Sequence, residues 1–305
     1  MKQLFEIDLH DYHDCTKKFS RPSARGIIVN DGKIALVYSV RDRYYKFPGG
    51  GIRSGEDARK ALVREVGEEV GLTVIPDSIA EFGSVMRRQR SIPYSDTLFE
   101  QENFYYTCRV EDTISEQNLD DYERDAEFVL RYTDIHDAIR VNDVFSSDDS
   151  FDEIMIKREL RVLQIIREAM IIQDLLPYAY LRSAGLDAAG IYAGEYADAL
   201  GRLLEKYPDS RFLSELECVS GAEASASYIL EHCEYGVVSP YDFGRDLAKM
   251  LRRIYASAEL SSFAKSMYEL WNRLPESIMN TEPFIRLCYA DDPLISCGEA
   301  EETRR

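Results

Sequence analysis

Hydrophobic and polar positions change rhythm once along this chain, and the change divides it in two. In the first half, short apolar runs alternate with turn-forming clusters. Ala24-Arg25-Gly26-Ile27-Ile28-Val29 reads as a strand, Asn30-Asp31-Gly32 as a hairpin turn, and Ile34-Ala35-Leu36-Val37-Tyr38 as the returning strand. Further strands are predicted over residues 82–88, 103–110 and 127–133. A Gly-rich loop at 48–51 leads into a helical period over about 57–70, and an amphipathic helix over 153–173 closes this half. From about residue 175 the texture becomes Ala-rich and helical. Segments 188–207, 222–232, 242–258 and 262–274 are punctuated by Gly185, Pro208, Gly221, Pro240 and Pro275. The pattern predicts an α/β domain over residues 1–174 and an all-helical domain over 175–305, without internal repeats.

Composition sharpens this picture in three places. A length of 305 residues suits two domains, and 45% hydrophobic with 11% aromatic residues supports packed cores rather than a disordered tail. The formal net charge of -18 repels phosphate backbones, so no nucleic acid polymer is expected as a partner. A small phosphorylated substrate held by local Arg residues stays compatible with it. The six cysteines (15, 108, 218, 233, 288 and 297) form no CxxC pair and read as reduced thiols. The acidic start MKQLFEIDLHDYHD lacks an apolar signal core, and no run approaches the roughly 20 apolar residues that span a bilayer. A cytoplasmic protein without membrane partners is therefore expected.

The chemistry concentrates on the helix predicted at 57–70. Glu65, Glu68 and Glu69 stand at i, i+3 and i+4 and so share one face. Ala58, Ala61, Leu62 and Val66 mark its apolar side, whereas Asp57, Lys60, Arg64 and Gly67 fall opposite. The glutamates lie beside or inside the apolar arc, where uncompensated charge is costly. A divalent cation converts their mutual repulsion into attraction, and hard oxygen ligands suit Mg²⁺ or Mn²⁺.

The run Gly50-Gly51-Ile52-Arg53-Ser54-Gly55-Glu56, seven residues, then Arg64-Glu65-Val66-Gly67-Glu68-Glu69-Val70-Gly71-Leu72 resembles the Nudix box GX5EX7REUXEEXGU at every specified position. Phe47-Pro48-Gly49 resembles the usual lead into it. The resemblance implies a Nudix α/β/α sandwich with a mixed β-sheet in the first half, and says nothing of the second, all-α domain. It further implies Glu65, Glu68 and Glu69 as ligands of one to three Mg²⁺ ions, with the Gly49 carbonyl as an added ligand. Glu56 and Arg64 are implied as the pair joining loop to helix, Gly50 and Gly55 as the residues that let the loop run close, and Gly71 as a left-handed helix cap. The implied activity is metal-dependent hydrolysis of a phosphoanhydride in a nucleoside diphosphate linked to another moiety. Some relatives use a proton-accepting carboxylate outside the box; Glu102, at the head of a predicted strand, and Glu127 are the candidates here, each more readily read as ordinary surface charge.

Substrate residues are less defined. Arg87, Arg88 and Arg90 follow a predicted strand and offer a phosphate grip or a solvated loop. Arg41, Arg43, Tyr44 and Tyr45 precede the Gly loop and offer contacts to a base, or packing. The specificity marks of ADP-ribose, diadenosine polyphosphate, NADH and coenzyme A enzymes are not matched: Arg87, Arg88 and Gln89 stand where two of them would place proline or tyrosine. His10-x-x-His13-x-Cys15 has metal-donor types but lacks an evident fourth ligand, and His136 and His232-Cys233 read as helix residues. The helical half, with Trp271 and a late turn at Tyr289-Ala290-Asp291-Asp292-Pro293, carries no catalytic motif. A homodimer surface, a lid and a partner-binding module are open roles for it. The rival to an enzyme is a nucleotide-sensing module without turnover.

Overall fold

The computed structural model describes residues 1–147, 150–187, 189–234, 236–256, 260–281 and 284. The turn predicted at residues 289–293, Cys288, Cys297, and the ends of two predicted helices at Ala188 and Ala258 lie outside them. The chain forms two compact units, Met1–Arg167 and Glu168–Arg305.

The first unit contains β1 (Gln3–Asp8), β2 (Lys17–Ser20), β3 (Ser23–Ile27), β4 (Val29–Asn30), β5 (Lys33–Ser39), β6 (Tyr44–Lys46) and β7 (Gly49–Gly51). Next come α1 (Ala58–Val70), β8 (Leu72–Val74), β9 (Ala80–Arg90), β10 (Thr97–Thr107), β11 (Val110–Ile114), α2 (Asp121–Asp125), β12 (Phe128–Thr133) and α3 (Ile135–Asp143). The start of α4 (Ser150–Ser183) completes it. A mixed sheet runs β1-β9-β10-β3-β7, with β2 also on β10; a second runs β12-β5-β4, with β6 on β5; β8 pairs with β11. The alternation along β10 assigns its two faces. Phe104 and Tyr106 pack with Leu62 and Val66 of α1, whereas Asn103 and Tyr105 meet Arg158 and Glu159 of α4. Helices therefore cover both faces of a mixed sheet, the sandwich that the resemblance implies.

α1 forms where its ends are defined. Asp57 caps the start, its carboxylate accepting from the Arg59 and Lys60 amides, and Gly71 ends the helix at φ 71°. The last turn's carbonyls find distant partners: Asn118 N donates to Glu68 at 2.7 Å, Gln117 Nε2 to Glu69 at 2.6 Å and Ser115 N to Gly71 at 2.8 Å.

Several elements depart from the sequence expectation. The N-terminal segment, where no strand was predicted, is strand: β1 lies parallel to β9 and β2 parallel to β10. Its pattern hid this because Phe5 is the one buried residue of β1 and β2 is exposed throughout. β9 and β10 are longer than predicted. α4 continues through Pro177 to Ser183 instead of ending near 173, because Leu175, Leu176, Ala179 and Leu181 are buried in the second unit's core.

That unit adds α5 (Ala193–Lys206), α6 (Arg211–Leu216), α7 (Ala222–Glu231), α8 (Pro240–Tyr255), α9 (Leu260–Trp271) and α10 (Glu276–Met279). Leu213, Leu247, Leu270 and Ile278 lie in its core, and no strand occurs in it among the described residues. The short α6 and α10 were not anticipated. No described helix is long and apolar enough to cross a membrane.

Candidate active site

The Gly-rich loop between β6 and α1 is fixed from beneath by buried polar groups. Gly26 N donates to the Pro48 carbonyl at 2.8 Å, while Arg25 Nη1 donates to the carbonyls of Phe47 (3.2 Å) and Gly49 (2.7 Å). Phe47 N donates to Glu159 Oε2 at 2.9 Å, and Gly49 N to Glu69 Oε2 at 2.8 Å. The preceding strand is held by Asn142, whose side-chain amide exchanges two 2.8 Å hydrogen bonds with the Tyr45 backbone. Burial pushes Glu159 up, but the charges of Arg158 and Arg25 outweigh it and hold the carboxyl below its ordinary range.

Above this base, Arg64 organises the carboxylates. Its Nε and Nη2 grip Glu56 at 2.9 and 2.8 Å, Nη1 reaches Glu65 at 2.6 Å and Glu68 at 3.1 Å, and Nη2 also donates to the Gly51 carbonyl at 3.1 Å. These contacts hold Glu56 down at about 2, chiefly through the Arg64 hydrogen bonds. The loop passes so close that a Cβ on Gly50 would lie 2.1 Å from Glu65 Oε2. Glycine at 50 thus leaves room for a carboxylate.

The three box glutamates separate by depth. Glu65 and Glu68 are partly open, whereas Glu69 is buried and its Oε1 faces the ammonium of buried Lys46. Burial raises the Glu69 pKa, the Lys46 and Arg25 charges oppose the rise, and nearby Glu123 adds to it.

Other candidates are redistributed. Glu102 sits mid-strand on β10 opposite Met86, not at a strand head. Glu127 is an exposed turn residue at φ 53°. The carboxylate whose charge acts on Glu69 is instead Glu123, buried in α2, with Oε2 accepting from Asp120 N and Oε1 from the Tyr122 hydroxyl. The Asp120-x-x-Glu123 spacing of a capping box was the available signal. Arg87, Arg88 and Arg90 belong to β9, not to a loop after it. Arg87 is buried and donates to Gln89 at 2.7 Å; Arg88 pairs with Glu6 and Glu100; Arg90 pairs with Asp14 and donates to the Asp11 carbonyl at 2.9 Å. Arg88 and Arg90 anchor the N-terminal segment. Arg41 pairs with Asp42 and donates to the Asp125 carbonyl, Arg43 occupies a turn at φ 61°, and Tyr44 and Tyr45 are buried. His10 and His13 stack at 6.3 Å, and Cys15 faces the Ser95 carbonyl. His136 lies in the first turn of α3, and His232 caps α7, stacked 4.0 Å from Tyr228. A basic residue the sequence did not single out is exposed Arg21: a side chain at Gly51 would meet its Nε at 3.4 Å, so its guanidinium lies against the loop.

The loop–helix–loop with its arginine-bridged glutamates lies within the region that matches the family model described as NUDIX domain, residues 20–152. This region is similar to Nudix domains. No curated protein matches the chain. Solved structures similar to it include a nudix hydrolase family member from Chromobacterium violaceum, at 22% identity and TM-score 0.26 over 38% of this chain. The chain spans 64% of that protein's length, under two thirds. A NUDIX hydrolase from Nitrosomonas europaea is 18% identical, with 46% of this chain and 89% of that one covered and a TM-score of 0.32. The MutT NUDIX hydrolase from Burkholderia pseudomallei is 16% identical, with 46% and 97% covered and a TM-score of 0.31.

Whether the Nudix box here suits a divalent cation is a question of donors. Glu65 and Glu68 supply hard carboxylate oxygens that are accessible and adjacent. Among the described residues, however, no three His, Cys, Asp or Glu side chains converge on one ion position. The outer pair therefore fits a divalent ion, while Glu69 points inward to Lys46.

Proposed function

We propose that the Nudix domain is a divalent-metal-dependent pyrophosphohydrolase acting on a nucleoside diphosphate linked to another moiety. The observation that carries this reading is the complete carboxylate set on α1, with Glu65 and Glu68 held at the loop surface by Arg64. Of the proposed ligands Glu65, Glu68, Glu69 and the Gly49 carbonyl, the outer pair is what an arriving cation meets. Bound there, Mg²⁺ or Mn²⁺ would neutralise diphosphate oxygens and acidify a water molecule. Arg64 orients both carboxylates, and Glu56 in turn fixes Arg64. Arg21, against the Gly loop, is proposed to contact a phosphate oxygen. Water adds across the P–O–P link, a carboxylate of the cluster takes its proton, and two phosphate-terminated products leave.

The test is product release from nucleotides, nucleotide sugars and dinucleoside polyphosphates, each with Mg²⁺, Mn²⁺ or EDTA. Release is expected within one substrate class, abolished by EDTA and reduced on the order of 100-fold by Glu68→Gln, as for loss of a preorganised electrostatic group. Silence across the panel, with a nucleotide still raising Tm, would instead make the domain a sensor.

A further inference from the structure

Lys46 is an unusual neighbour for a glutamate expected to hold a metal ion. Its side chain is 5% exposed and that of Glu69 is 2% exposed, and the ammonium lies against Glu69 Oε1. Glu69 Oε2 already accepts from Gly49 N. Both carboxylate oxygens are thus engaged from inside the protein. Glu65 and Glu68, by contrast, are 19% and 37% exposed and pair, among the described residues, with Arg64, which has Glu56 as its bidentate partner.

Lys46 is also pinned. It lies on β6 between Tyr45, clamped by Asn142, and Phe47, clamped by Glu159. Its ammonium sits 4.2 Å from the centre of the Phe128 ring, a face that favours a cation. Withdrawing it would strand the buried Glu69 charge, which desolvation forbids without a replacement. Adding a divalent ion beside it would set two cations against each other where water screens them little. The Gly49 carbonyl repeats the arrangement, since the buried Arg25 guanidinium already donates to it.

From this geometry we infer that Lys46 is the resident cation of Glu69, standing where a metal ion would otherwise bind, so that divalent ions enter this site through Glu65 and Glu68 alone. Lys46 is then a positioning residue that sets how many ions the site takes and how tightly. The inference rests on the hydrolase reading above, but it concerns which carboxylates bind the ion.

The test needs no turnover: Mn²⁺ titration of the full chain, with free Mn²⁺ followed by its electron paramagnetic resonance signal. Glu65→Gln and Glu68→Gln are expected to weaken binding at least about tenfold, as loss of a ligand or its close support does. Glu69→Gln is expected to stay within about twofold of wild type, since the amide removes no ion-binding group. Lys46→Gln is expected to tighten binding or add an equivalent, because it uncovers Glu69. Glu69→Gln leaves the Lys46 charge buried alone and can fail to fold, so Lys46→Met/Glu69→Gln, which removes both charges, serves as the second variant, with folding checked by circular dichroism. If the folded Glu69 variant loses as much affinity as Glu68→Gln, Lys46 is not the resident cation, and the hydrolase reading stands. If Glu65→Gln and Glu68→Gln both bind Mn²⁺ like wild type, the ion site itself is misassigned and both readings fall.

Discussion

At the scale of single residues, the Nudix box is a set of charges that constrain one another. Glu56 acts at one remove: it fixes Arg64, which contacts Glu65 and Glu68. Because Arg64 depresses the folded-state pKa of Glu56 to about 2, the pair's contribution to stability is present above the unfolded carboxyl's ordinary value of 4.5. It is lost as pH falls through about 2. A carbon-detected NMR titration should therefore find the Glu56 carboxyl still ionised at pH 3, and Arg64→Met should return its midpoint toward the ordinary range. An ordinary midpoint in the wild type would show that Arg64 does not hold it. The three glutamates were legible from spacing, since helix periodicity places i, i+3 and i+4 together, whereas the Glu56–Arg64 pair came only through the resemblance to the Nudix box. Lys46, Arg25, Glu159 and Glu123 were not, because each reaches the site from another element and no local period links them. Glu159, for example, bonds Phe47 across 112 positions of sequence.

At the scale of elements, α1 was readable because its signals are local: an Asp at the start, a Gly at the end and an apolar stripe between. What the sequence concealed is how its last turn is finished by the segment around residues 115–118, which donates to the carbonyls of Glu68, Glu69 and Gly71. Gly71 is where the two meet. Its φ is 71°, and a Cβ there would stand 2.1 Å from the Ser115 carbonyl oxygen. Gly71→Ala should cost at least about 1–2 kcal/mol, the penalty of a left-handed alanine before any clash is added. Thermal unfolding should show a Tm several degrees lower, and an unchanged Tm would mean the cap relaxes freely. The N-terminal strands were hidden for a related reason. β1 and β2 have a single buried residue between them, so what places them is backbone pairing with β9 and β10, with Arg88–Glu6 and Arg90–Asp14 ion pairs beside it, not their own pattern.

At the scale of the whole molecule, the shift from alternating strands to Ala-rich helices marked two units, but the turning point sits inside a helix. α4 begins in one unit and ends in the other, and its continuous pattern gave no boundary signal beyond Pro177, which the helix accommodates. Charge belongs to this scale too. With a formal net charge of -18, the chain should bind a single-stranded RNA oligomer no better than about 10 µM even at low salt, where nonspecific binders gain most. Fluorescence anisotropy would check this, and tight salt-sensitive binding would point to a polymer substrate. The same charge acts on small ions. A surface this anionic gathers a counter-ion cloud, so the local concentration of divalent cations near it exceeds that of the bulk. A bare diphosphate is turned away by that field, whereas one whose charge is already masked by magnesium is not. Under the proposed function, the acidity of the chain acts as a filter on the ionic form in which a nucleotide can approach.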